Sequence, residues 1–168
     1  AGNSTQSSGG GIKARAECHI VNCTVVGNES KWGGGISLGN AIDYKEFQIY
    51  VYNTIVSGNS STFEGDGCPE WWRENASLKI NSVLLPTTVE AEGAINFICS
   101  EPVFNGSVRE GYPADSSPSI DAGDNEVVSA FNVYMMTDLA GEPRIAGDRI
   151  DIGCYERQLA KGFGIIVR

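Results

Sequence analysis

Ile20-Val21-Asn22-Cys23-Thr24-Val25-Val26-Gly27-Asn28 returns 31 residues later as Val51-Tyr52-Asn53-Thr54-Ile55-Val56-Ser57-Gly58-Asn59. In both copies two runs rich in valine and isoleucine flank one asparagine and stop at a Gly-Asn pair, so each copy reads as two short strands joined by a bend. A Gly-Asn pair followed by serine also opens the chain at Gly2-Asn3-Ser4. The run Gly9-Gly10-Gly11-Ile12 recurs as Gly33-Gly34-Gly35-Ile36, a step of 24. Repeats with steps of 24 to 31 residues are the signature of a solenoid, in which each unit is one coil stacked on the next. The expected fold is therefore all-β, with no segment carrying a sustained helical period of apolar residues.

Strand alternation turns Cys18, Ile20, Cys23 and Val25 inward in one coil and Ile49, Val51, Thr54 and Val56 inward in the next. Asn22 and Asn53 mark the bend. Asparagine tolerates the left-handed region and its amide can bond a stacked neighbour, so the pair is expected as a buried structural ladder. A third coil runs through Leu78-Lys79-Ile80-Asn81-Ser82-Val83-Leu84. Matching Asn81 to the bend would turn Lys79 inward, which leaves two readings open: a shift by one residue, or an Asn81 outside the ladder. Phe63 to Glu74, with Trp71-Trp72, reads as an insertion that loops out. Coils then occupy 1-100 with an inserted loop near 60-76, a C-terminal capping region fills 101-156, and 157-168 forms a tail. Turn formers crowd the capping region at Glu101-Pro102, Asn105-Gly106, Tyr112-Pro113, Ser117-Pro118, Gly123-Asp124-Asn125 and Glu142-Pro143.

The 168 residues fit one domain of ordinary size. With 21 acidic against 12 basic residues the net charge is −9, which repels phosphate backbones and anionic membrane surfaces and disfavours nucleic acid as a partner. No apolar run approaches the roughly 20 residues of a membrane helix, so no membrane insertion is expected. Ala1 to Gly11 is small and polar, unlike a signal peptide, and any export signal is expected to have been removed or to lie upstream. Five cysteines without CxxC spacing accompany a single histidine, which disfavours structural zinc. A Cys68–Cys99 disulfide in an oxidising compartment and small buried thiols stand as alternative readings.

Three ordered motifs end the chain: Ser117-Pro118-Ser119-Ile120-Asp121-Ala122-Gly123-Asp124-Asn125, Thr137-Asp138-Leu139-Ala140-Gly141-Glu142-Pro143-Arg144, and Asp148-Arg149-Ile150-Asp151-Ile152-Gly153-Cys154-Tyr155-Glu156. They resemble the C-terminal signature of bacterial choice-of-anchor Q proteins, SPAIDAGDN, TDLAGNPR and DIGAYE. Asn22 to Asn28 and Glu101-Pro102-Val103-Phe104 look like the coils that precede that signature, so the resemblance covers nearly all of Gly2 to Glu156. It implies a right-handed parallel β-helix of the pectin-lyase-like class, secreted or displayed at the cell surface. The chain departs from the pattern in lacking many upstream coils and in ending at Arg157 to Arg168 without a visible sorting motif.

Several residues invite chemistry. No cofactor is expected except calcium, whose preferred oxygen ligands Asp121 and Asp124, with Asp138, Asp148 and Asp151, could supply. The competing reading has these carboxylates accept backbone hydrogen bonds in tight turns, with Arg144 or Arg149 paired to one of them. Paired carboxylates also serve glycoside hydrolysis or β-elimination on uronates, the chemistry of a polysaccharide lyase or glycoside hydrolase fragment. His19 points outward and reads as a solvated strand histidine. Trp71, Trp72, Tyr50 and Tyr52, with Trp32, offer aromatic faces for carbohydrate stacking. Six Asn-x-Ser/Thr triplets, at Asn3, Asn22, Asn28, Asn59, Asn75 and Asn105, would mark glycosylation in a eukaryotic secreted protein; the resemblance to a bacterial family favours turn composition as their origin.

No catalytic residue is assigned. The leading functional expectation is a non-catalytic structural or adhesive module of an exported bacterial protein, contacting an extracellular polysaccharide or protein partner. The alternatives are the enzyme fragment above and a self-assembling extracellular fibre subunit. Self-association is expected through the N-terminal end, because the strands from Cys18 to Val26 have no coil above them unless Ala1 to Lys13 covers them.

Overall fold

The computed structural model describes residues 1–39, 47–63, 70–74, 76–86, 95–107, 110–130 and 136–158. Ten strands and one short helix follow in order: β1 (Ile12–Ala14), β2 (Cys18–Val21), β3 (Thr24–Val26), β4 (Glu29–Ser30), β5 (Ile36–Gly39), β6 (Phe47–Ser57), β7 (Ser60–Ser61), β8 (Trp71–Glu74), β9 (Ala76–Leu84), β10 (Ile95–Ile98) and α1 (Asn125–Ala130). All pairings between these strands are parallel.

The expected solenoid is corrected. The strands form small, separate sheets: β1-β5-β8, then β10-β9-β6-β2 with β3 beside β6, then β4-β7. A parallel β-helix is not shown. The reason lies in the spacing of paired residues. Ile12 meets Ile36, Cys18 meets Ile49, Phe47 meets Ala76, Ile36 meets Trp71 and Asn81 meets Ile95, steps of 24, 31, 29, 35 and 14. No constant period runs through the pairings of the described residues, so similar segments fix local register without generating one repeating unit.

Within that limit the matched segments pair in register: Ile20 with Val51, Val25 with Val56, and Val51 with Ile80. Their inward side chains join Ile36, Leu38, Ile49, Trp71, Leu78 and Val83 in the main core. A smaller cluster of Val26, Ile55, Leu84 and Ile152 lies between the five-stranded sheet and the C-terminal segment. Ile36, Leu38, Ile49, Val51 and Val56 are wholly buried, and each such side chain is worth about 1.5–3 kcal/mol of burial.

The bend between β2 and β3 recurs inside β6 and β9. Asn22, Asn53 and Ser82 take φ of 51°, 45° and 53°. Tyr52 pairs with Asn81, so Ser82, not Asn81, stands in line with Asn53, and Lys79 is exposed beside Tyr50. The third segment is thus shifted by one residue. Trp71 and Trp72 do not loop out: β8 pairs with β5, placing Trp71 in the core at 5% exposure.

The described residues between 101 and 158 carry mostly turns. Asp124 caps α1 by accepting from the Glu126 N–H at 2.9 Å, and Val127 and Val128 bury the other side of the helix. Among the described residues no helix is long and apolar enough to cross a membrane.

Candidate functional site

The C-terminal segment docks on the row of bends. The Asn53 amide is engaged at both ends by the backbone of Asp124, accepting from its N–H at 2.8 Å and donating to its carbonyl at 3.0 Å. Asn81 Nδ2 donates to Asp124 Oδ2 at 2.5 Å. Gly153 N donates to the Asn53 carbonyl, and Cys154 N donates to Thr24 Oγ1 at 3.0 Å. Arg144 Nη2 bridges the carbonyls of Asn22, at 3.4 Å, and Gly153. Asn22 and Asn53, expected as a stacked ladder, share a conformation, but the Asn53 amide is taken up by Asp124.

An open cleft of about 250 Å³ lies where this segment meets the sheet, lined by Val21, Asn22, Thr137, Asp138, Leu139, Arg144 and Cys154. Its acidic surroundings are already committed. Asp138 Oδ1 accepts from the N–H groups of Ala140 and Glu142, and Oδ2 from Glu156. Asp151 accepts from Asp121 and Arg157, and Glu156 from Ala146 and Asp151. These contacts hold the turns of a segment whose one described regular element is α1.

Burial sets the electrostatics. It pushes the Glu156 carboxyl up to about 7 and raises Asp151, although backbone N–H donors oppose both shifts. Burial lowers the Arg144 guanidinium, with Glu156, Cys154, Asp138 and Asp151 pulling the other way. Burial likewise raises the thiols of Cys23 and Cys154.

Asp121 and Asp124 are not gathered into a metal centre. Both Asp124 oxygens accept protein donors, and no group of three His, Cys, Asp or Glu side chains suited to a metal ion exists among the described residues. Cys99 carries a free, exposed thiol, whereas Cys68 lies outside the described residues.

The aromatic residues separate into unlike settings. His19 and Tyr50 stack on neighbouring strands with ring centroids 4.3 Å apart and planes 4° from parallel, and Tyr52 meets Tyr50 edge-on at 5.9 Å. These rings stand on the outer face of the five-stranded sheet, Tyr50 and Tyr52 half-buried and His19 exposed. Trp71 is withdrawn from the surface set because the core encloses it, while Trp72 is half-buried. Trp32 packs against Phe63 instead, with Lys31 Nζ 4.4 Å above its ring.

One polar row escaped the sequence reading. Asn3 N and Nδ2 donate to Asn28 Oδ1, Asn28 N and Nδ2 donate to Asn59 Oδ1, and Asn59 Nδ2 donates to Glu70 Oε2. The signal was present in three of the four Gly-Asn pairs, Gly2-Asn3, Gly27-Asn28 and Gly58-Asn59, which mark this row independently of Asn22 and Asn53. Comparison with protein-family models, with curated proteins and with solved structures gave no match.

Proposed function

We propose that this chain is a non-catalytic structural and adhesive module of an exported bacterial protein, held at a secreted or cell-surface location and contacting polysaccharide. The observation that carries this reading is the commitment of carboxylates: Asp138, Asp151 and Glu156 each accept backbone N–H groups through both oxygens, and so serve as pegs for turns. A hydrolase or lyase needs a carboxylate or base directed at substrate. The resemblance to choice-of-anchor Q proteins supports the exported location. The face bearing His19, Tyr50 and Tyr52 supplies the contact surface, since aromatic rings with polar edges suit hydroxylated sugars. The module needs no cofactor for this role.

The test is a glycan array of neutral and acidic polysaccharides, followed by calorimetry with Tyr50→Ala and Tyr52→Ala. Binding lost in either variant, without product release by the wild type, is the expected outcome. Turnover of pectin, alginate or a neutral glycan that a single Asp→Asn change abolishes overturns it.

Self-association is a second reading, favoured by β2, which ends the five-stranded sheet among the described residues. Gly2, Thr5 and Gly9 instead hydrogen-bond along Val26, Glu29 and Trp32. Sedimentation at rising concentration tests it: a strictly monomeric chain rules out assembly through β2.

A further inference from the structure

We infer that the cleft beside Arg144 is a binding site for a small organic monocarboxylate, whose oxygens take the guanidinium N–H groups that the protein leaves without acceptors. Arg144 lines this open cleft and is only 3% exposed, and its Nε and Nη1 are buried with no hydrogen-bond partner. Nη2 alone is engaged, donating to the carbonyls of Asn22 and Gly153. A guanidinium carries five N–H donors and keeps its charge, so those of Nε and Nη1 are left facing no acceptor. Among the described residues the ion pair is Arg157 with Asp115, and Arg144 stands outside it. The carboxylates nearby are turned elsewhere. Asp138 shares the cleft but gives both oxygens to the N–H groups of Ala140, Glu142 and Glu156, and Glu156 gives its own to Ala146 and Asp151. A buried cation and buried donors without partners are costly, and an entering anion relieves both.

The walls set the class of ligand. A planar carboxylate matches the guanidinium fork better than a spherical halide does. Val21 and Leu139 add apolar surface, which suits a hydrocarbon stem. Leu139 is 69% exposed, so the cleft opens to solvent on its side. Against roughly 30 Å³ for each water molecule, about 250 Å³ holds a carboxylate on a stem of about three to five carbons. Cys154 lines the same cleft; Arg144 holds the carbonyl of the residue before it, and the charges of the two side chains interact. A carboxylate seated on Arg144 therefore stands in the cleft that the Cys154 sulfur reports on. Tyr50 and Tyr52 do not line it, so this site is independent of the sugar contact proposed for the aromatic face.

The full chain is melted in about 50 mM butyrate, with butyramide and sodium chloride at the same concentration as references. Butyrate should raise the melting temperature by about 3–6 °C over both, and Arg144→Gln should lose that rise. Arg144 also holds Asn22 and Gly153, so its replacement can unfold the C-terminal segment. Leu139→Glu, at an exposed position of the cleft, is the second variant, and calorimetry should show it binding butyrate about tenfold more weakly. Alkylation separates the site from a general salt effect. Iodoacetate, itself a short carboxylate, is compared with neutral iodoacetamide at about pH 8.5; in each case the cysteine thiolate displaces iodide from the CH₂ carbon, and the thiol proton passes to solvent. The preference for iodoacetate should be about fivefold greater at Cys154 than at the exposed, free Cys99, and butyrate should slow labelling at Cys154 alone. An equal rise with butyramide or chloride, a rise kept in Arg144→Gln, an unchanged affinity in Leu139→Glu, or the same reagent preference at Cys154 and Cys99 overturns the inference.

Discussion

Asn59 Nδ2 donates to Glu70 Oε2 at 2.6 Å with both residues buried, so the row of asparagines that begins at Asn3 ends on a carboxyl group. The Asn59 amide also donates to the Val25 carbonyl at 2.9 Å, which ties the row to β3. Burial pushes the Glu70 carboxyl above its ordinary range while donors from Asn59 and Gly58 oppose the shift. Asn59→Ala strands Asn28, the Val25 carbonyl and Glu70 without their partner, and is expected to cost about 2–4 kcal/mol. Glu70→Gln keeps an acceptor and should cost about 1 kcal/mol. Urea unfolding checks both, and an Asn59→Ala midpoint equal to wild type would refute the row's role.

A second prediction concerns pH. Glu156 is raised from 4.5 to about 7 by burial, and Asp151 and Glu70 are raised in the same sense. For an acid whose folded value lies above its unfolded value, the folded chain binds more protons between the two. The contribution of Glu156 is therefore fully present below about 4.5 and is lost as pH rises through about 7. Moving from about pH 8 to pH 5 should add about 1–3 kcal/mol, and Glu156→Gln should flatten that slope. Denaturant titrations at a series of pH values measure it. A Glu156→Gln slope as steep as wild type excludes Glu156 as the source.

The glycines divide into two groups. A Cβ at Gly34 would run into the Ser60 backbone, and at Gly35 it would lie 2.5 Å from the Glu70 carbonyl. At Gly27 nothing lies within 4 Å, and only the φ of +61° resists a side chain. Gly34→Ala is expected to cost more than 3 kcal/mol or prevent folding, whereas Gly27→Ala should cost about 1–2 kcal/mol. Thermal melts of the two variants compare them directly, and equal losses would contradict the close approach at Gly34.

Asn53 combines two roles, a left-handed backbone with φ of 45° and a doubly bonded amide. Asn53→Gly removes only the amide, and Asn53→Ala removes the amide and adds backbone strain. Alanine should therefore be about 1 kcal/mol worse than glycine, and both should loosen the C-terminal segment. Hydrogen exchange at Asp124 and Gly153 reads the loosening. Unchanged protection there would separate Asn53 from docking.

Adjacent residues carried the local part of the fold. Alternation placed Ile20, Val25, Ile49, Val51 and Val56 inward, and the matched segments pair as their similarity required, because side-chain direction in a strand depends on parity along a contiguous run. Parity also exposed the conflict at Lys79, which Ser82 resolves by adopting the bend at φ of 53°. The Gly-Asn pairs marked Asn3, Asn28 and Asn59, but their partner Glu70 sat within residues assigned to an insertion. Trp71 was misplaced for the same reason: nothing local distinguishes a looped-out aromatic pair from a strand that returns to pair with Ile36.

Tertiary structure alone decided how the pieces combine. Unequal steps between paired residues break the chain into separate sheets, a property of the intervening lengths and not of the matched segments. The carboxylates of the C-terminal motifs were legible as turn acceptors or calcium ligands, and only the folded positions of N–H groups such as those of Asp121 and Glu156, 30 and 18 residues away, settled how Asp151 and Asp138 are used. Asn53 with Asp124, 71 residues apart, and Thr24 with Cys154, 130 apart, meet only once the chain has folded. Composition and period encode which way a side chain faces. Which distant group it then meets depends on the path of the whole chain, and that is fixed by packing.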